Sequence, residues 1–266
     1  MNTKNSNGNN RMFAIVTGAS SGIGYELAKL CAEEGFDLLV VADEPKIEEA
    51  ARDFRNRGVT VDALQVDLAS PEGVNQVYAA AQAKGHPVDV LIANAGRGLG
   101  HSFLEQDFNA VKHVIDTNIT GTIYLLHRVL RDMYARNRGR VLITGSIAGH
   151  MPGPYNAVYH GSKAFVDSFA VALRNELKET EITITCLQPG PTDTEFFARA
   201  GMLDTKVGQD DKADPADVAK VGFKAMLRGE GDVVSGVMNK AQVAMSHVMP
   251  DDSTAELNRK LNEPKS

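Results

Sequence analysis

Apolar and polar positions alternate along the chain in two textures. Short apolar runs, MFAIVT (12–17), DLLVVA (37–42), ALQV (63–66), VDVLIANA (88–95), RVLITGS (140–146) and ITITCLQPG (182–190), read as strands, and DVVSG (232–236) adds an edge strand. Most of these runs are continuous, as suits strands covered on both faces. Amphipathic stretches between them predict helices over 22–34, 46–57, 71–84, 106–136, 156–180 and 215–228, the last with Asp214 as N-cap and Pro215 in its first turn. Strand and helix in regular alternation imply right-handed crossovers and an open, doubly wound parallel α/β sheet of about seven strands. Such sheets bind ligands beyond the carboxyl ends of their strands, where strand order reverses. No polar linker divides the chain, so the pattern predicts one domain over 12–250. A disordered tail (1–11) precedes it and a polar extension (251–266) follows.

Composition narrows the function classes. The 266 residues carry a formal net charge of −6 with basic and acidic residues interspersed, so neither nucleic acid nor an anionic membrane is an expected partner. Cys31 and Cys186 lie in separate apolar contexts and read as buried free thiols of a reducing, cytoplasmic compartment. The asparagine-rich N-terminus has the composition of neither a signal peptide nor an anchor, and no apolar run reaches 18 residues.

The first strand runs into VTGASSGIG (16–24), opening a helix. Gly18, Gly22 and Gly24 would allow a tight turn and close backbone approach to a pyrophosphate at the positive end of the helix dipole. The spacing departs from the commoner G-x-G-x-x-G fingerprint, and alone it could be only a tight turn. The second strand ends at Asp43, nineteen residues after Gly24, where a carboxylate would accept from an adenosine ribose diol and repel a 2′-phosphate. No arginine follows Asp43, which favours NAD(H); Lys46 keeps NADP(H) open.

With these motifs the chain resembles the short-chain dehydrogenase/reductase family in its compact, Rossmann-like, single-domain form. The resemblance spans about residues 12–235. It rests on TGASSGIG, Asp67 in QVDL, NAG at 94–96, Asn118 in DTNITG, Ser146 in TGSIAG, Tyr159-x-x-x-Lys163 and PGPTDT at 189–194, in that order. The resemblance implies reversible hydride transfer between a nicotinamide and a secondary alcohol or ketone. Tyr159 would be the general acid/base, Ser146 would hold the substrate oxygen, and Lys163 and Asn118 would tune the tyrosine. Lys163, one turn after Tyr159, is expected to lower a phenol pKa that is ordinarily near 10. Cofactor contacts are implied for Gly18, Ser20, Ser21, Gly22, Ile23, Gly24, Asp43, Asp67, Leu68, Asn94, Ala95, Gly96, Tyr159, Lys163, Pro189, Gly190, Thr192 and Thr194. No metal is implied.

His160, beside Tyr159, points about 100° away on a helix and is not read as catalytic. Met151, Tyr155 and Phe196 are candidates for the substrate cleft, with core packing the alternative for each; His150 either meets a polar substrate end or is an ordinary loop histidine. Residues 191–210 include an amphipathic segment after a Pro-Gly turn, expected to form a mobile lid over a mainly apolar pocket. A small-molecule alcohol or carbonyl is the expected partner. A homodimer or homotetramer through 106–136 and 156–180 is the family expectation, although the sequence after 236 departs from the usual family ending. The competing reading is a non-catalytic dinucleotide sensor or scaffold of the same fold.

Overall fold

A computed structural model describes residues 11–265, so the expected tail, apart from Arg11, lies outside the described residues. Seven strands form a single parallel sheet: β1 (Phe13–Thr17), β2 (Asp37–Ala42), β3 (Val61–Gln65), β4 (Val90–Ala93), β5 (Gly139–Thr144), β6 (Ile182–Gln188) and β7 (Asp232–Val234). Their order is β3-β2-β1-β4-β5-β6-β7, so the reversal falls between β1 and β4. There Ile15 of β1 stands level with Leu39 of β2 and with Leu91 of β4.

Successive side chains of a strand point to opposite faces, and β1 therefore feeds two cores. Ala14 and Val16 join Leu27 of α1 (Gly22–Glu33), Phe54 of α2 (Ile47–Arg55) and Phe223 of α9 (Pro215–Arg228). Phe13 and Ile15 join Val77 of α3 (Pro71–Gln82), Leu125 of α5 (Thr122–Ala135) and Val166 of α6 (Ala157–Glu176). The continuous apolar strands are thus explained by helices on both faces. The N-caps of α3 and α9 are made by Ser70, whose side chain accepts from Gly73 N, and Asp214, which accepts from Ala216 N; Pro71 and Pro215 follow them.

The stretch 106–136, expected as one regular helix, is helical without interruption from Phe108 to Ala135 but carries a π-turn inside it. α4 (Phe108–Ile115) passes through a π-helical turn at Asp116–Gly121 before α5 begins. The wider turn adds a residue and rotates Asn118 inward, a device frequent at functional sites. The segment 191–210 is folded into two short helices, α7 (Phe196–Arg199) and α8 (Lys206–Gln209), with Phe197, Ala200 and Met202 buried together beneath them. After β7 come α10 (Val237–Ser246) and α11 (Asp251–Asn262); α10 touches the loop after β5 and α11 packs on α8. Among the described residues no helix is long and apolar enough to cross a membrane.

Candidate active site

The carboxyl ends of β1, β2, β4, β5 and β6 open onto a cavity of about 770 Å³. Its lining includes every residue assigned to the cofactor by resemblance, from Gly18 to Thr194. In the turn after β1, Gly18 (φ +65°) and Gly22 (φ +58°) hold the left-handed backbone that glycine tolerates. A Cβ on Gly18 would sit 2.9 Å from Ala95 Cα, and one on Gly22 2.7 Å from Thr194 Cγ2, so side chains here would fill the cradle. Ser21 caps α1 with no side-chain hydrogen bond, leaving the first backbone N–H groups facing the cavity without a side-chain acceptor. Asn94 holds the turn: its Nδ2 donates to Thr17 O at 3.1 Å, and its Oδ1 accepts from Thr144 Oγ1 at 3.0 Å. Ser20 Oγ donates to Glu44, and Asp67 pairs with His113 at 3.2 Å. The Thr117 hydroxyl on the wall is buried without a partner among the described residues. These features fit a dinucleotide: a side-chain-free cradle for a pyrophosphate, carboxylates at Asp43 and Asp67, and unspent polar groups along the wall.

One cation beside Asp43 was invisible in the sequence. Arg97 ion-pairs with Asp43 across 54 positions, so a guanidinium stands against that carboxylate. Close by, Glu44 accepts from Arg199 at 2.7 Å, and Lys46 donates to Glu195 at 2.6 Å, tying α7 to the turn after β2.

At the opposite end Tyr159, Ser146 and Lys163 converge on the cavity. Ser146 caps a short 3-10 turn (Ile147–His150), accepting from Ala148 N at 3.1 Å. Lys163 is buried; its Nζ donates to Thr144 O at 2.7 Å and lies 5.8 Å from the centre of the Tyr159 ring. The Phe196 ring covers the other side of the phenol, with centroids 4.9 Å apart. Burial pushes the Tyr159 phenol up to about 12, opposed by the neighbouring Ser146 hydroxyl and aided by the Asp167 carboxylate. The expected lowering by Lys163 is not seen: burial dominates the phenol, and the Ser146 hydroxyl is the group that lowers it. Burial also lowers Lys163, partly countered by Asp167 one turn further along α6.

Asn118 lies beneath this floor and does not line the cavity. Its Oδ1 accepts from Arg97 N at 2.7 Å, and its Nδ2 donates to Arg97 O and Ser162 Oγ at 2.9 Å each. It approaches Lys163 only across Gly96, where a Cβ would stand 3.4 Å from Asn118 Oδ1 and 3.5 Å from Lys163 Nζ.

Of the four substrate-cleft candidates, Met151 and Phe196 line the cavity and two do not. His150 turns aside, its Nε2 3.0 Å from Gln188 Oε1 and its ring against His247. Tyr155 points outward because its backbone is left-handed (φ +60°). Its hydroxyl donates to Glu263 at 2.6 Å and accepts from Arg259 at 2.9 Å, which clasps the end of α11. His160 does line the wall; its Nδ1–H donates to Met151 O at 2.9 Å, and burial lowers its pKa, so it remains a neutral prop.

The sequence reading missed the wall made by α10 and α11. Asn239, Gln242, Asn258 and Asn262 face the cavity, joined by Asn156 just before α6. Asn258 Nδ2 donates to Pro152 O at 2.9 Å. The positions 258, 261 and 262 share one helical face, a spacing that could have signalled an inward side. The pocket expected to be mainly apolar carries Met151, Phe196 and Met202 on its lining together with these amides, Gln242 Nε2 lying 3.6 Å from Met151 Sδ.

Known proteins fall in with this geometry. Residues 12–202 match the family described as short chain dehydrogenase. An uncharacterized oxidoreductase of Staphylococcus saprophyticus is 33% identical over 215 residues, covering 80% of this chain and 90% of that protein. The NADP-dependent 3-hydroxy acid dehydrogenase YdfG of Salmonella typhimurium is 34% identical over 190 residues, covering 70% of this chain and 75% of its own length. Among solved structures, a short-chain dehydrogenase from Sphingobium yanoikuyae in complex with NADPH superposes with a TM-score of 0.79 at 26% identity, over 90% of this chain and 96% of that one. One from Burkholderia phymatum in complex with NAD gives 0.82 at 23% identity, over 96% and 98%, a likeness of fold. The sheet order, the glycine cradle and the Ser146–Tyr159–Lys163 convergence accord with that match, and the chain belongs to the short-chain dehydrogenase family of oxidoreductases.

Proposed function

We propose that the protein interconverts a secondary alcohol and a ketone with NAD(H) or NADP(H), and that Tyr159 moves the proton on the substrate oxygen. The observation that carries this reading is the convergence of Tyr159, Ser146 and Lys163 at the far end of a cleft whose other end is the glycine cradle. A bound nicotinamide would exchange a hydride with the substrate carbon. The chain's own residues supply the rest. Ser146 donates to the substrate oxygen, and such a donor is worth about 2.7–4 kcal/mol as negative charge develops there. Tyr159, protonated at neutral pH, is competent to donate its proton when a carbonyl is reduced. In oxidation it must accept one, and a phenol held high makes that direction favour alkaline pH. Lys163 supplies positive charge behind the ring, and Asp167 helps keep that ammonium charged. Phe196 and the lid exclude water from the phenol.

Asp43 favours NAD(H), because its carboxylate can accept from a ribose diol; the Arg97 partner tempers rejection of a 2′-phosphate. The exposed side chains Phe108, Ile115 and Phe165 on α4 and α6 support association of copies through these helices. A location in the cytoplasm agrees with the buried free thiols Cys31 and Cys186. The test is Tyr159→Phe: turnover of any alcohol or ketone should fall by at least a thousandfold while dinucleotide binding persists. Substantial residual turnover would refute the assigned acid/base. Tight dinucleotide binding by a wild-type protein that turns over no alcohol or ketone would favour the sensor reading.

A further inference from the structure

We infer that the substrate is a neutral carbonyl compound carrying a hydroxyl besides its carbonyl, and that Asn156 and Asn262 read that hydroxyl. This rests on the catalytic reading above and specifies its substrate. Asn156 is 4% exposed and lines the cavity three residues before Tyr159, yet its Oδ1 has no hydrogen-bond partner among the described residues. It occupies the N-cap position of α6 without capping it, so the fold does not use this oxygen. That oxygen is sealed from solvent, so the end of this amide open to the cavity is Nδ2, which is not hydrogen-bonded among the described residues either and donates to an oxygen that a ligand brings. Buried amides are ordinarily satisfied, and one left free in the wall of a cavity points to the ligand.

A second observation comes from α11. Thr254, Asn258 and Asn262 recur at every fourth position and are each at least nine-tenths buried, giving the helix a polar inner stripe where burial normally selects apolar residues. Asn258 is spent on Pro152 O, which docks the helix. The clasp of Tyr155 with Arg259 and Glu263 fixes the other flank. Asn262 is left facing the cavity from a helix held on both sides.

Charge argues for a neutral ligand. Among the described residues the lysines and arginines lining the cavity are Arg97, Lys163 and Arg199. Arg97 is paired with Asp43, Arg199 with Glu44 and Glu195, and Lys163 donates to Thr144 O behind the phenol. No cation remains for a substrate carboxylate, and Asp210 and Asp211 on the lid side would repel one. Sites built to hydrogen-bond a hydroxyl discriminate strongly against the analogue that lacks it.

Three ketones of nearly equal size test this: 4-hydroxy-2-butanone, 2-pentanone and acetoacetate, reduced by the wild-type protein with NADH and with NADPH. The hydroxyketone should exceed each of the others at least tenfold in kcat/KM. Asn156→Leu and Asn262→Leu should each lower the ratio of hydroxyketone to 2-pentanone at least fivefold. An activity-independent readout is calorimetric binding to Tyr159→Phe with dinucleotide present, where 1,3-butanediol should bind at least tenfold tighter than 2-pentanol. Turnover without preference for the hydroxyketone, or preference for acetoacetate, overturns the inference and leaves the catalytic reading standing. Equal binding of diol and pentanol overturns it as well. Diol-selective binding together with no turnover of any ketone by wild type sinks the catalytic reading but upholds the hydroxyl-reading site.

Discussion

Replacing Asp167 by asparagine should make the protein more stable at neutral pH and less active. Asp167 is 6% exposed on α6, pressed against the backbone of Gly145 and Gly149. Its Oδ1 accepts from Cys186 Sγ at 3.4 Å, and its Oδ2 has no partner among the described residues. Burial lifts its carboxyl from the ordinary 3.8 to about 6, against the lowering pull of Lys163, Cys186 and His150. At about 1.4 kcal/mol per pH unit, ionised Asp167 costs the fold about 3 kcal/mol at pH 7. The sign follows from proton binding. Between pH 3.8 and about 6 the folded protein holds a proton that the unfolded chain has released. Stability therefore falls as pH rises through that window and is level above it. Asparagine keeps the shape and the acceptor for Cys186 while removing the ionisation. Urea unfolding of both proteins between pH 4.5 and 7.5 should show the advantage of Asp167→Asn growing by about 2 kcal/mol across that range. A difference that is flat with pH, or a variant less stable at pH 7.5, would refute the reasoning. Activity should move the other way, since the same carboxylate supports the charge of Lys163.

Gly22→Ala should weaken dinucleotide binding at least tenfold by calorimetry, because the left-handed backbone alone costs about 1–2 kcal/mol with a side chain and the new methyl meets Thr194; unchanged affinity would count against the cradle. Arg97→Gln frees Asp43 and removes the guanidinium beside it, so the NADPH-to-NADH ratio of kcat/KM should fall severalfold; a constant ratio would mean Arg97 does not touch the cofactor's selectivity. Light scattering should give a mass at least double the 28.6 kDa chain, and Phe108→Asp with Phe165→Asp should reduce it to one chain; a monomeric wild type would remove the helix-face reading.

Much of this was legible from the amino-acid sequence because it is local. Seven apolar runs and the helices between them needed only periodicity, and the glycine turn and the Tyr159-to-Lys163 spacing needed only helix geometry. What the chain alone hid depends on distance in sequence. The Arg97–Asp43 pair joins residues 54 positions apart, and nothing in the run after Asp43 announces it. The π-turn at Asn118 has no distinct apolar period, so 106–136 reads as one helix. Tyr155 sits in line with Tyr159 on a continuous helix, but its left-handed backbone breaks that line and sends it to α11. Residues 251–262 are polar enough to read as an extension. Only packing against α8 and the loop after β5 shows that one face of that helix closes the site, since burial is a property of partners and not of composition.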